Sequence, residues 1–193
     1  HFDDYFYPYK IKGQDFPDSI TFAESGGTFV NKDDWRRNNV DLLIKELSDS
    51  IHSVKPQVQF GISPFGVWRN QEKDSSGSAT RAGQTCYDDL YANVLKWQKE
   101  KWIDYVVPQI YWSIGFEVAD YKVIAEWWNR NSYDVPVYIG QATYRIGNSN
   151  DTRWKEPNQL AKQIRLNRTL GQIHGSAFFS SRSFQSNPWG FND

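Results

Sequence analysis

The 193-residue sequence has no methionine, one cysteine and three histidines. The lone cysteine, Cys86, excludes an internal disulfide and a cysteine-based zinc site. It sits in a helical pattern, where a buried, inert thiol is expected rather than a nucleophile. The histidines show no HxH spacing, and no metal is expected. No apolar run approaches the ~18–20 residues that span a bilayer. Neither sign of charge dominates: charged residues make up 23% and the formal net charge is -1. Nucleic-acid binders usually show a basic excess, so no nucleic-acid partner is expected. There is no signal-peptide pattern. A chain that starts at His1 without Met reads as processed or cut from a longer one, with any targeting segment outside it. Neither GxGxxG nor a P-loop motif follows any apolar run, and no cofactor is expected.

What the sequence has in excess is aromatic side chains: 17%, including nine tryptophans and eleven tyrosines. Rings fill cores, and their flat faces also stack on the C–H faces of pyranose sugars. Count alone does not separate the two uses; position does.

Short runs rich in β-branched and aromatic residues alternate with amphipathic stretches. The strand-like runs are His1–Tyr7, Val58–Ser63, Ile103–Tyr111, Pro136–Gln141 and Ser176–Ser181. Between them, Val40, Leu43, Ile44, Leu47 and Ile51 mark one helix face, with Asn31 and Asp34 suited to its cap and first turn. Tyr87, Leu90, Tyr91, Val94 and Trp97 mark a second. Tyr121, Ile124, Ala125 and Trp128 mark a third. Leu160, Ile164 and Leu170 mark a fourth, with Pro157 in its first turn. This β-α alternation predicts parallel strands with helices outside, in one α/β domain over residues 1–193. Two long polar loops, 10–32 and 70–83, follow strands, and the αβ connections are short. That asymmetry predicts a functional rim at the C-terminal strand ends. About five parallel strands do not close a (β/α)8 TIM barrel. The chain is therefore an open five-stranded sheet or part of a barrel. Either would expose sheet edges, which predicts self-association through them.

Each strand-like run ends in polar groups mixed with rings. The first gives Asp3, Asp4 and Tyr5. The second gives Ser63 and, beyond it, Phe65, Trp68, Arg69 and Asn70. The third gives Gln109, Tyr111 and Trp112. The fourth gives Gln141, Tyr144 and Arg145. The fifth gives Ser180, Ser181 and Arg182. If these ends meet at one rim, they form a pocket for a neutral, hydroxyl-rich ligand. Tyr5, Trp68, Arg69, Asn70, Gln109, Tyr111, Trp112, Gln141, Tyr144 and Arg145 are the candidate sugar-binding residues. Asp3 and Asp4 are the candidate catalytic carboxylates. Alternation along a strand turns one of them inward, and Asp3 is favoured because it shares a face with His1. Asp4 then caps a loop or orients a neighbour. Glycoside hydrolysis usually needs two carboxyl groups. No other strand end offers one, so the partner comes from a loop or from outside the chain. A sugar-binding or scaffold domain without catalysis, and a metal-dependent hydrolase built on His1 and Asp3, are the alternatives.

HFDDYFYPY, DWRRNNVDLLI, FGISPFGVWRN, the GSAT loop, YDDLYANVLKW, IDYVVPQIYW, YIGQATYRIG and the FFSSRSF region, in this order, closely resemble the bacterial glycosyl-hydrolase-like family 10, formerly the DUF187 family. The resemblance covers essentially the whole chain. It implies a partial (β/α)8 barrel glycosidase of the bacterial cell envelope, periplasmic, lipoprotein-anchored or secreted. The implied substrate is peptidoglycan glycan strands stripped of stem peptides. HFDDYFYP would end the fourth barrel strand, so the chain would carry strands four to eight. The first three would lie upstream, and the piece could be inactive without them. The resemblance puts Asp3 where many related barrels keep an acid, and does not identify its partner.

Overall fold

A computed structural model describes residues 1–156, 158–187 and 190. Its elements alternate as the periodicity predicts. A short helix α1 (Ser19–Ser25) and the long α2 (Lys32–Val54) precede β1 (Gly61–Ile62). Then come α3 (Cys86–Asp89), α4 (Val94–Lys99), β2 (Tyr105–Val106), α5 (Tyr121–Arg130) and β3 (Val137–Gln141). Last are α6 (Gln159–Asn167), β4 (Ile173–Phe178) and α7 (Ser181–Ser186). The sheet order is β1-β2-β3-β4 and every pairing is parallel. Sequential parallel neighbours joined by helices form the wall of a β/α barrel. The fold is α/β and partial TIM-barrel-like.

The register explains the core. Ile62, Val106, Val137 and Ile173 pair in turn across the four strands, and all are buried against the helices. Alternation sends Tyr105 and Tyr138 to the other face. There a ring row crosses the sheet from His1 to Tyr105 (5.7 Å), Tyr138 (6.1 Å) and His174 (6.3 Å). Six tryptophans, Trp35, Trp68, Trp97, Trp127, Trp128 and Trp154, are buried. Most of the tryptophan surplus is therefore core. Several are fixed by their indole N–H: Trp97 donates to Asp41 at 2.6 Å, Trp127 to the Ser76 carbonyl and Trp128 to the Gly66 carbonyl, both at 2.8 Å.

The strands are shorter than the apolar runs suggest. The first run makes a single bridge, Phe2 to Ile62. Phe2 N–H donates to the Gly61 carbonyl at 3.0 Å, and Ser63 N–H to the Phe2 carbonyl at 2.7 Å. The segment thus takes the strand position beside β1, then turns at Asp4, whose carbonyl accepts from Phe6 N–H at 2.9 Å. Proline shortens the next two. Pro64 and Pro108 have no N–H to give the ladder. Pairing resumes at Gln109, which bridges to Phe65 and Gly140. The last strand starts at Ile173, three residues before the expected position, so Ser180, Ser181 and Arg182 fall beyond it.

Asn31 caps α2, its side chain accepting from Asp34 N–H at 2.8 Å. The expected second helix divides into α3 and α4, with Tyr91 between them in the left-handed region at φ 56°. Leu170 lies beyond α6, and Pro157 is outside the described residues. The 10–32 loop contains α1, and a short helix, α7, follows the last strand.

Candidate active site

The C-terminal strand ends surround a cleft of about 560 Å³. His1, Asp3, Tyr5 and Tyr9 come from the first segment, and Ser63 and Phe65 follow β1. Val107, Gln109, Tyr111 and Trp112 follow β2. Gly140, Tyr144 and Arg145 come from β3 and the 3-10 turn Thr143–Arg145 after it. Ala177, Phe178 and Phe179 close the far side.

Both walls are aromatic. On one, Tyr5 stacks on Tyr9 at 5.4 Å, Tyr9 meets the edge of Phe65 at 6.1 Å, and Phe65 meets Trp112 at 5.5 Å. On the other, Tyr111 stacks on Phe179 at 6.2 Å, and Tyr144 stands edge-on to both at 6.0 Å. Burial and the neighbouring Tyr144 hold the Tyr111 phenol far above its ordinary value, so it stays a neutral hydrogen-bonding group.

The two aspartates part company as alternation requires. Asp3 faces the cleft, and its Oδ1 accepts from Gln109 Nε2 at 2.6 Å and from Asp4 N–H at 2.8 Å. Gln109 Nε2 also donates to the Ser63 carbonyl at 2.9 Å, which fixes the amide that holds Asp3. Asp4 is only 2% exposed and accepts from the Tyr9 hydroxyl at 2.7 Å. Its pKa is pushed up to about 6, mainly by burial; the Tyr9 bond opposes the rise and the Asp3 carboxyl adds to it. Among the described residues, no group of three or more His, Cys, Asp and Glu could hold a metal ion. His1 is occupied by Tyr105, its Nδ1 lying 3.1 Å from the Tyr105 hydroxyl.

The raised Asp4 value has a definite sign. The folded chain binds this proton more tightly than the unfolded chain, so stability falls as pH rises from the ordinary 3.8 through about 6. Asp4→Asn removes the buried charge and keeps an acceptor for Tyr9. Its melting temperature is expected to exceed the wild type by about 2–4 °C above pH 7. Melts repeated across pH should show the gap closing below about pH 4; a gap that persists there would rule out this cause.

Four expected contacts lie elsewhere. β1 ends at Ile62, so Trp68, Arg69 and Asn70 sit in the following loop, not at the rim. Trp68 is buried and stacks on Trp127 at 5.6 Å. Arg69 is held by Asp88 at 2.9 Å and Asp74 at 2.7 Å, over the Tyr87 ring. Asn70 ties its loop together, donating to the Ala82 carbonyl and accepting from Thr80 Oγ1, both at 2.8 Å. Gln141 follows Gly140, which lines the cleft, and alternation turns it inward. There it donates to the Tyr121 hydroxyl at 3.2 Å and to Gln163 Oε1 at 3.3 Å. Tyr9, Val107, Gly140, Ala177, Phe178 and Phe179 were not expected at the site. The consecutive phenylalanines within the last run were the one available signal. Cys86 is fully buried, its thiol pushed up by burial and donating to the Phe65 carbonyl at 2.9 Å.

A parallel sheet whose C-terminal rim holds a carboxylate between aromatic walls suits a sugar chain. The glycosyl hydrolase-like 10 family model matches residues 1–156. The chain belongs to this family. It is 52% identical over 196 residues to the glycosyl hydrolase YngK of Bacillus subtilis (strain 168), covering 100% of this chain and 38% of that protein. It is 40% identical over 188 residues to the glycosyl hydrolase DigH of Escherichia coli (strain K12), covering 92% of this chain and 42% of that protein. The chain thus spans about two fifths of the length of these curated relatives. Membership supports a glycosidase-like role.

Proposed function

We propose that the full-length protein is a glycoside hydrolase of the bacterial cell envelope, periplasmic, lipoprotein-anchored or secreted. Its substrate is peptidoglycan glycan strands from which stem peptides have been removed. Asp3 is the reacting carboxylate. The observation that supports this is its position: an exposed carboxylate on the cleft, oriented by Gln109, between two walls of rings. Tyr5, Tyr111, Trp112 and Tyr144 stack on or hydrogen-bond the sugars. Asp4 stays behind the rim and holds Tyr9 through its hydroxyl. Retaining and inverting enzymes alike place two carboxyl groups across the scissile bond. The partner of Asp3 then belongs to the part of the full-length protein outside this chain.

A second reading, a sugar-binding domain without catalysis, draws support from one fact. Asp3 is the one carboxylate lining the cleft among the described residues. Product analysis with the full-length protein separates the two. Peptide-free strands are expected to yield new reducing ends and short oligosaccharides, while peptide-bearing strands of equal length resist. Strands that bind without shortening would establish the binding reading instead.

A further inference from the structure

The cleft continues past Arg145. Tyr144 and Arg145 also line an adjoining groove of about 580 Å³ with Phe116, Gly147, Asn148, Ser149, Asn150 and Asp151. The two depressions share one ridge, and the ridge carries a cation.

Arg153 is paired with Asp151, the carboxylate that lines the groove. Arg145 forms no ion pair among the described residues. Its Nε donates to the Tyr144 hydroxyl at 3.2 Å, and its guanidinium lies 5.5 Å from the same ring. The terminal nitrogens have no protein partner among the described residues. Asp151, the carboxylate in the groove, is already engaged by Ser113 Oγ and by Arg153 N–H and Nη1, at 3.1 and 3.0 Å from the two Arg153 nitrogens. A neutral sugar does not require a guanidinium held against a ring with its fork free. A carboxylate does, because the planar fork matches its two oxygens.

We propose that Arg145 is a specificity-determining residue that binds a carboxylate carried by a sugar, and that the groove beyond it takes the next sugar of the same strand. The inference rests on the glycosidase reading above and narrows its substrate to an acidic glycan. The amides of Asn148 and Asn150 and the hydroxyl of Ser149 suit the hydroxyls and acetamido groups of that next sugar. Two sources offer the same chemistry: a lactyl ether arm on an amino sugar, or the ring carboxylate of a uronic acid.

The test measures binding by the full-length protein in an Asp3→Asn background. The probes are peptide-free peptidoglycan strands, the same strands with carboxylates converted to methylamides, and an oligouronate of equal length. Amidation is expected to weaken binding by about tenfold to a hundredfold. Arg145→Gln should show the same loss on acidic strands and no change on amidated ones, and Arg145→Lys should recover part of it. A preference for peptidoglycan strands over the oligouronate assigns the carboxylate to a lactyl arm; the reverse assigns it to the sugar ring. Equal affinity for native and amidated strands, or equal weakening of both by Arg145→Gln, overturns the proposal. The glycosidase reading fails separately, if the wild-type full-length protein binds native strands without shortening them.

Discussion

Asp3→Asn in the full-length protein is expected to lower cleavage of peptide-free glycan strands by about a thousandfold or more. Asparagine has the same shape and keeps Oδ1, the atom that accepts from Gln109 Nε2 and Asp4 N–H. The cleft should therefore keep its geometry, and KM should move little. What is lost is the negative charge and the ability to take or give a proton, so the effect should fall on kcat. Asp4→Asn provides the contrast. Asp4 is buried behind the rim and bonded to Tyr9, so its neutralisation should alter stability and its pH dependence far more than turnover. Gln109→Leu separates holding from chemistry: it keeps Asp3 charged but removes the donor that aims it. Turnover of the Asp3→Asn protein within about threefold of wild type would remove Asp3 from the reaction.

Alternation and periodicity report local geometry well, and this is why the β-α order could be read from the sequence. The Asn31 cap depends only on residues within one turn, and it forms as expected. The buried face of α2 is different. Leu43, expected on it, is 48% exposed, and Asp41 is buried instead. Asp41 is drawn in by Trp97 and Lys96, which lie some 55 residues away in sequence and donate to its two oxygens. No pattern within the helix announces that contact. The second helix reads as continuous because α3 and α4 pack on the same core, so the apolar spacing survives the break at Tyr91.

The site shows the same division. Asp3 and Gln109 were legible because each lies within or next to a paired backbone segment, where side-chain direction follows from register. Arg69 and Asn70 share that polar, strand-end character, but the pairing with the neighbouring strand makes its last bridge at Phe65, before them. Their partners, Asp88 and Ala82, lie on α3 and at the far end of the same loop. Gln141 was misplaced by one position, and in a strand one position is the opposite face. The groove beyond Arg145 lies in the turn after β3, where no periodicity operates.

Arg36→Met is expected to destabilise the protein by roughly 2–4 kcal/mol, because it leaves the buried Asp18 carboxylate with only Lys32, 3.4 Å away, in place of a bidentate guanidinium. Arg36 is 1% exposed and Asp18 6%. The guanidinium meets Asp18 through both carboxylate oxygens, at 2.8 and 2.6 Å, and also donates to the Tyr91 hydroxyl at 2.6 Å and to Asp15 at 3.0 Å. Tyr7 and Tyr91 flank it at 5.6 and 5.0 Å. One side chain on α2 thus pins the loop that leads away from the Asp3 segment. The hydrogen bond from Arg36 holds the Asp18 carboxyl below its ordinary pKa despite burial. A lowered folded-state value stabilises above the unfolded pKa and is lost as pH falls through the folded one. The gap between wild type and Arg36→Met in denaturant titrations should therefore be full at neutral pH and shrink below about pH 4. Arg36→Lys keeps the charge but not the fork, and should recover only part of the loss. Arg36→Met with Asp18→Leu removes both charges, and should be more stable than Arg36→Met alone. If the double variant is no more stable than the single, the cost lies in lost packing around the guanidinium rather than in an unpaired charge.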